Sequence, residues 1–90
     1  MLAVKKLVLD VLKPHEPNAL EFCKRVARAG HDYRVRLSVV EVDKRTETLQ
    51  LVIEGDSIDY DAVVSAIENM GGALHSIDEV EVLRVPNAGS

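Results

Sequence analysis

Asp10 is the residue in this sequence that most needs a chemical reason. It sits inside the apolar run LVLDVL at residues 7–12, where a strand covered on both sides is expected. Asp is among the poorest strand formers, on a scale of ~1 kcal/mol. A second carboxylate, Asp78, lies in the segment HSIDE at residues 75–79. If the fold brings the two together, they could share a hard divalent cation such as calcium or magnesium, both of which favour carboxylate oxygens. The alternatives are that Gln50 and Ser76 hydrogen-bond Asp10, or that it is simply hydrated. His75, Ser76 and Asp78 also have the residue types of a base, a nucleophile and an orienting acid. Successive strand residues point to opposite faces, however, so His75 and Ser76 make a poor nucleophile–base pair, and no catalytic residue is assigned.

The other chemically capable residues have simpler readings. Glu54, Asp56, Asp59 and Asp61 put four carboxylates into eight residues. That spacing does not match an EF-hand loop, which is longer and ends in Glu. Asp59 as a helix N-cap and Asp61 in the first turn account for two of them. Glu41, Asp43, Lys44, Arg45 and Glu47 surround a hairpin tip and read as a solvated turn, with a surface cation as the alternative. His15, His31 and His75 lack the short His/Cys spacings of a zinc site, and His15, between Pro14 and Pro17, reads as a turn residue. Cys23 falls on the apolar stripe of a helix and reads as a buried, inert thiol. Gly71-Gly72 follows a helix and does not open one, so it is no phosphate loop.

The elements that must position these residues follow from periodicity. A first strand covers residues 4–13. Pro14-His15-Glu16-Pro17 is a turn, with Pro17 suited to the first helical position. A helix over 18–29 buries Ala19, Leu20, Cys23, Val26 and Ala27 and ends near Gly30. Strands over 33–43 and 47–55 show strict alternation and form a hairpin. A second helix from Asp59 to Gly71 has the stripe Tyr60, Val63, Val64, Ile67 and Met70. A last strand over 73–85 is expected to be interrupted at Asp78-Glu79.

The order is βαββαβ, which is that of a ferredoxin-like α+β fold with a four-stranded antiparallel sheet, order 4-1-3-2, and both helices on one face. Facing Leu7, Leu9 and Val11 toward the helices leaves Lys6, Val8, Asp10 and Leu12 on the open face. For the hairpin, pairing Val42 with Thr48, Val40 with Gln50, Ser38 with Val52 and Arg36 with Glu54 keeps the alternation in phase, and a one-residue slip would turn Leu49, Leu51 and Ile53 outward. Glu54 then lies between Lys6 and Arg36, a charge ladder worth roughly 0.2–1 kcal/mol per pair.

Charge is unevenly distributed. Residues 1–45 hold ten Lys/Arg against six Asp/Glu, whereas residues 46–90 hold one against nine. A basic surface of one copy could therefore meet an acidic surface of the next, a head-to-tail contact that builds rings when the rotation closes. The overall charge of −4 and the lack of stacking aromatics on the open face argue against nucleic acid, despite a local basic patch at Lys24, Arg25, Arg28, Arg34 and Arg36. No segment reaches the length of a membrane span, and residues 1–6 lack the apolar core of a signal peptide. A lone Cys23 excludes an internal disulfide and suggests a reducing, cytoplasmic setting.

Four stretches carry a resemblance: LVLDVLKPHEP at 7–17, VEVDKRTE at 40–47, IEGDSIDYD at 53–61 and GGALHSIDEV at 71–80. They resemble a small, mainly archaeal family catalogued as domain of unknown function 211. The resemblance implies a ferredoxin-like fold, ring- or propeller-shaped homo-oligomers and bound divalent cations, and it brings no biochemical activity with it. Residues 81–86 (EVLRVP) depart from the Ala-Gly-Lys type of turn usual there, and residues 29–36 are more basic than their counterparts.

The expectation is a single domain over residues 1–85 with a flexible tail over 86–90. It would be a non-enzymatic homo-oligomer whose interfaces use the open face or an edge strand, binding a small ligand or divalent cation between subunits, with Asp10 and Asp78 as the metal ligands. A metal-binding protein using the same two carboxylates is the second reading. A small metal-dependent enzyme is the third, in a chain with no insertion to build a pocket.

Overall fold

The computed structural model describes residues 1–86; residues 87–90 of the expected tail lie outside it. The elements run β1 (Leu2–Pro14), α1 (Ala19–Ala27), β2 (Arg34–Val42), β3 (Thr46–Glu54), α2 (Tyr60–Asn69) and β4 (Ala73–Arg84). They form one antiparallel sheet in the order β2-β3-β1-β4, the ferredoxin-like arrangement. Alternation decides the two faces. Leu7, Leu9 and Val11 of β1 lie beside Ile53, Leu51 and Leu49 of β3, and all six are buried beneath Phe22 and Val26 of α1 and Val63 and Ile67 of α2. Each such side chain contributes about 1.5–3 kcal/mol by leaving water. Among the described residues no helix covers the opposite face, and Asp10 lies on it.

The first helix departs from expectation in three ways. Asn18 is its N-cap, accepting from the Glu21 amide at 2.9 Å, so Pro17 precedes the cap and is not the first helical residue. The spacing of Asn18 and Glu21 is that of a capping box. The buried stripe runs through Phe22 and Val26, while Leu20 is 66% exposed: Leu20 and Phe22 lie two residues, about 200° of helix, apart, so burying the ring turns Leu20 away from the core. The helix also ends at Ala27, capped by Arg28, and Gly30 has no left-handed conformation. Gly30 serves close approach instead, since a Cβ there would collide with the Tyr33 ring. The second helix follows expectation, with Asp59 accepting from the Ala62 amide at 3.1 Å and Gly71 at φ +80° ending it.

The hairpin pairs in a different register. Arg34 lies opposite Glu54, Arg36 opposite Val52 and Ser38 opposite Gln50, with Val40 bulged out and Val42 opposite Glu47. Glu54 thus sits between Lys6 and Arg34, not Arg36. The cause is a tighter turn, in which the Asp43 amide donates to the Thr46 carbonyl at 2.8 Å. Thr46 and Glu47 are drawn into β3 because they pair with Pro14 and Lys13 of β1. A shift of two residues leaves the alternation intact, so Val35 and Leu37 still pack on the core.

β4 is continuous where an interruption was expected. Against β1, Glu79 lies opposite Val8, Ile77 opposite Leu9, Ser76 opposite Asp10 and Leu74 opposite Val11. Asp78 and His75 are each the extra residue of a β-bulge. A bulge absorbs one residue and re-aims its side chain without breaking the strand.

Candidate functional site

Asp10 sits in the middle of the open face, flanked by Gln50 on β3 and Ser76 on β4. Neither holds its carboxylate. Among the described residues Asp10 makes no side-chain hydrogen bond or ion pair, and the Ser76 hydroxyl donates to Asp78 Oδ1 at 2.7 Å. A half-buried carboxylate without a partner is held in place by its strand alone and is reached by water. Two shallow concavities meet at Asp10. One, of about 270 Å³, is lined by Asp10, Leu12, Thr48 and His75. The other, of about 230 Å³, is lined by Asp10, Val40, Thr48, Leu49, Gln50 and Asp78.

The two bulges explain this grouping. Strict alternation would turn His75 away from the face that carries Ser76, yet His75 lines the first concavity and Asp78 the second. His75 makes no hydrogen bond to Ser76, whose hydroxyl is engaged by Asp78, so the three residues form no base–nucleophile pair in this arrangement. Asp10 and Asp78 share one concavity, but among the described residues no group of three His, Cys, Asp or Glu side chains is placed to hold a metal ion. A hard cation here would need its remaining oxygens from Gln50, Thr48, water or another molecule.

At the other end of the open face lies a charge ladder. Lys6 has Glu54 and Glu81 opposite it on the two neighbouring strands and bonds Glu79 at 2.8 Å. The hydrogen bond it donates to Glu79 and the charges of all three carboxylates hold its ammonium above the usual lysine range. Lys5, the extra residue of a third bulge, pairs instead with Asp56 at 2.9 Å in the loop before α2, and that ammonium keeps the Asp56 carboxyl low. Cys23 is half-buried, its thiol 3.6 Å from the Val35 carbonyl. Burial raises its pKa, which keeps it a thiol and poorly reactive.

A second polar cluster is invisible in the residue types alone. Lys13 is completely buried. Its ammonium donates to the carbonyls of Pro14 at 2.7 Å, His15 at 3.3 Å and Pro17 at 2.7 Å, and pairs with Glu47 Oε1 at 3.2 Å. Glu47 therefore belongs to no solvated turn; its side chain is 18% exposed and also bonds His15. Phase was the available signal. Lys13 continues the odd-numbered, inward series of Leu7, Leu9 and Val11, and Glu47 continues that of Leu49 and Ile53, so two inward charges face each other across β1 and β3.

The fold and the open face together define the class: a small ferredoxin-like α+β protein with its helices on one side and a bare, partly polar sheet on the other. Residues 5–84 match the model of a family described as "Uncharacterized ArCR", the domain of unknown function 211. The chain is also 40% identical over 80 residues to the uncharacterized protein MJ0319 of Methanocaldococcus jannaschii, covering 89% of this chain and 82% of that one. This chain belongs to that archaeal family, whose function is not established. No helix among the described residues is long and apolar enough to cross a membrane.

Proposed function

We propose that this protein is a non-enzymatic, self-assembling module that joins copies edge to edge in a ring and binds a divalent cation or small ligand on the face around Asp10. The observation that carries the reading is the contrast between the two free edges of the sheet. β4 bears Asp78, Glu79 and Glu81 with half-exposed Ile77, Val80, Val82 and Leu83, while β2 bears Arg34 and Arg36 with exposed Val39, Val40 and Val42. Opposite charge and matched apolar residues suit a β4 edge to the β2 edge of the next copy. The contact is heterologous and leaves the same edges free for the next addition, so it builds a ring when the rotation between copies closes. Unpaired edge amides and carbonyls are a ready template for such pairing.

Size-exclusion chromatography with light scattering should find an oligomer at micromolar concentration; a monomer would end the assembly reading. Reversing the basic edge (Arg34→Glu with Arg36→Glu) or the acidic edge (Glu79→Arg with Glu81→Arg) should each give a monomer. Mixing the two variants should restore assembly, because each then offers the edge the other lacks. Raised salt should weaken the wild-type assembly.

The cation is favoured by one specific observation, the unpartnered Asp10 carboxylate in a concavity shared with Asp78. Titration calorimetry with calcium, magnesium and manganese should give heat for at least one ion, and Asp10→Ala should abolish it. The same substitution should change stability by less than about 1 kcal/mol, since it removes a poor strand former that has no partner. Absence of heat for all three ions would leave a small organic ligand as the occupant.

A further inference from the structure

We infer that His15 is a proton-controlled latch between the turn after β1 and the tip of the β2–β3 hairpin, closed while the imidazole carries both protons and released when it loses one. The geometry carries this. His15 Nδ1 lies 3.0 Å from Glu47 Oε2, and His15 Nε2 lies 2.9 Å from the Lys44 carbonyl. Both partners are acceptors, so only the imidazolium can donate to both; a neutral ring has one N–H and must aim a lone pair at an oxygen. Lys44 lies in the tight hairpin turn and Glu47 at the start of β3, so the ring clamps the hairpin tip from another part of the chain.

Charged groups of both signs surround the ring. Glu47 faces it from β3, and Lys13 of β1 faces the other oxygen of that carboxylate at 3.2 Å. Asp43, Lys44 and Arg45 belong to the hairpin turn, and Glu16 is next to His15 in the chain. The bond to Glu47 leads the balance and, with the Lys44 carbonyl, raises the His15 pKa above its ordinary 6.5. The His15 bond also lowers the Glu47 pKa below its ordinary 4.5, with Lys13 acting in the same direction.

The signs then define a window. A raised histidine pKa contributes stability that is fully present below 6.5 and is lost as pH rises through the folded value. A lowered carboxylate pKa contributes stability present above 4.5 and lost as pH falls through its folded value. The latch is therefore closed in mildly acidic solution and opens on the alkaline side. Val40 and Thr48, carried by the two strands of the same hairpin, form walls of the concavities at Asp10, so opening loosens that wall whichever ligand or partner it meets.

The test is an NMR titration of the full chain. The His15 ring should titrate with a midpoint above 6.5. The protection factor of the Asp43 amide, which closes the hairpin turn, should fall about tenfold across the same midpoint. In His15→Gln, a change at a side chain 41% exposed and tolerable to the fold, protection should no longer depend on pH. A His15 midpoint at or below 6.5, flat protection in the wild type, or an unchanged step in His15→Gln would each overturn the latch.

Discussion

Replacing Lys13 by Met is expected to cost about 3–5 kcal/mol, the range for removing one partner of a buried ion pair. Met fills most of the space of the lysine stem, so the loss is polar and not a cavity. The ammonium satisfies the carbonyls of Pro14, His15 and Pro17 and one oxygen of Glu47, all from a site with no exposure. Without it, three carbonyls in one turn converge on a thioether and Glu47 keeps only His15. In a domain of this size each kcal/mol moves the melting temperature by roughly 4–8 °C, so the transition should drop by tens of degrees. Unfolding in urea at fixed protein concentration, with midpoint and slope both recorded, measures it. Glu47→Leu in the Lys13→Met background should recover part of the loss, because a largely buried carboxylate stripped of its lysine costs more than an apolar replacement. A Lys13→Met variant within 1 kcal/mol of wild type would show that water replaces the ammonium in this cage.

Phe22→Ala should cost a similar amount, about 3–5 kcal/mol, while Leu20→Ala should stay within about 0.5 kcal/mol of wild type. The pair separates two orientations of α1. Phe22 is fully buried with Val26, Val63 and Ile67 around the same core, and its ring also limits the space at Gly72, where a Cβ would come within 3.2 Å of it. Deleting the ring therefore opens a cavity between α1 and the end of α2. Leu20, two-thirds in solvent, has little burial to lose. Denaturant midpoints of the two variants, compared at equal concentration, decide the matter; a large loss at Leu20 would mean that the exposed side of α1 is covered in the assembled protein.

Much of the site's position was legible in the order of residues. Alternation placed Asp10 on the open face, beside Gln50 and near Ser76, and the structure pairs it with both. What the pattern missed were steps that do not change which residues are apolar. Between Arg34 and Val39 the hairpin slips by two residues, which returns each side chain there to its own face, so hydrophobicity cannot tell the two registers apart; the Lys13–Glu47 pair and the tight Asp43–Thr46 turn choose between them. The bulges at His75 and Asp78 are similar. The polar segment 75–79 has no strong hydrophobic phase to violate, so a residue can be absorbed there at small cost. The helix stripe failed for a different reason, because Leu20 and Phe22 are both apolar and only contact with the sheet selects the ring.

By itself the sequence determined the element order, the inward and outward faces of the central strands and the division of charge between its two halves. These follow from local periods of 2 and 3.6 residues and from solvation, which act on each segment wherever it lies. Tertiary structure alone decided that His75 and Asp78 both reach the face of Asp10, which four oxygens close around the inward Lys13, and that His15 clamps a turn 29 residues away. Each of those depends on groups distant in the chain meeting within about 3 Å, where hydrogen bonding is short-ranged and directional, and no local period encodes such a meeting.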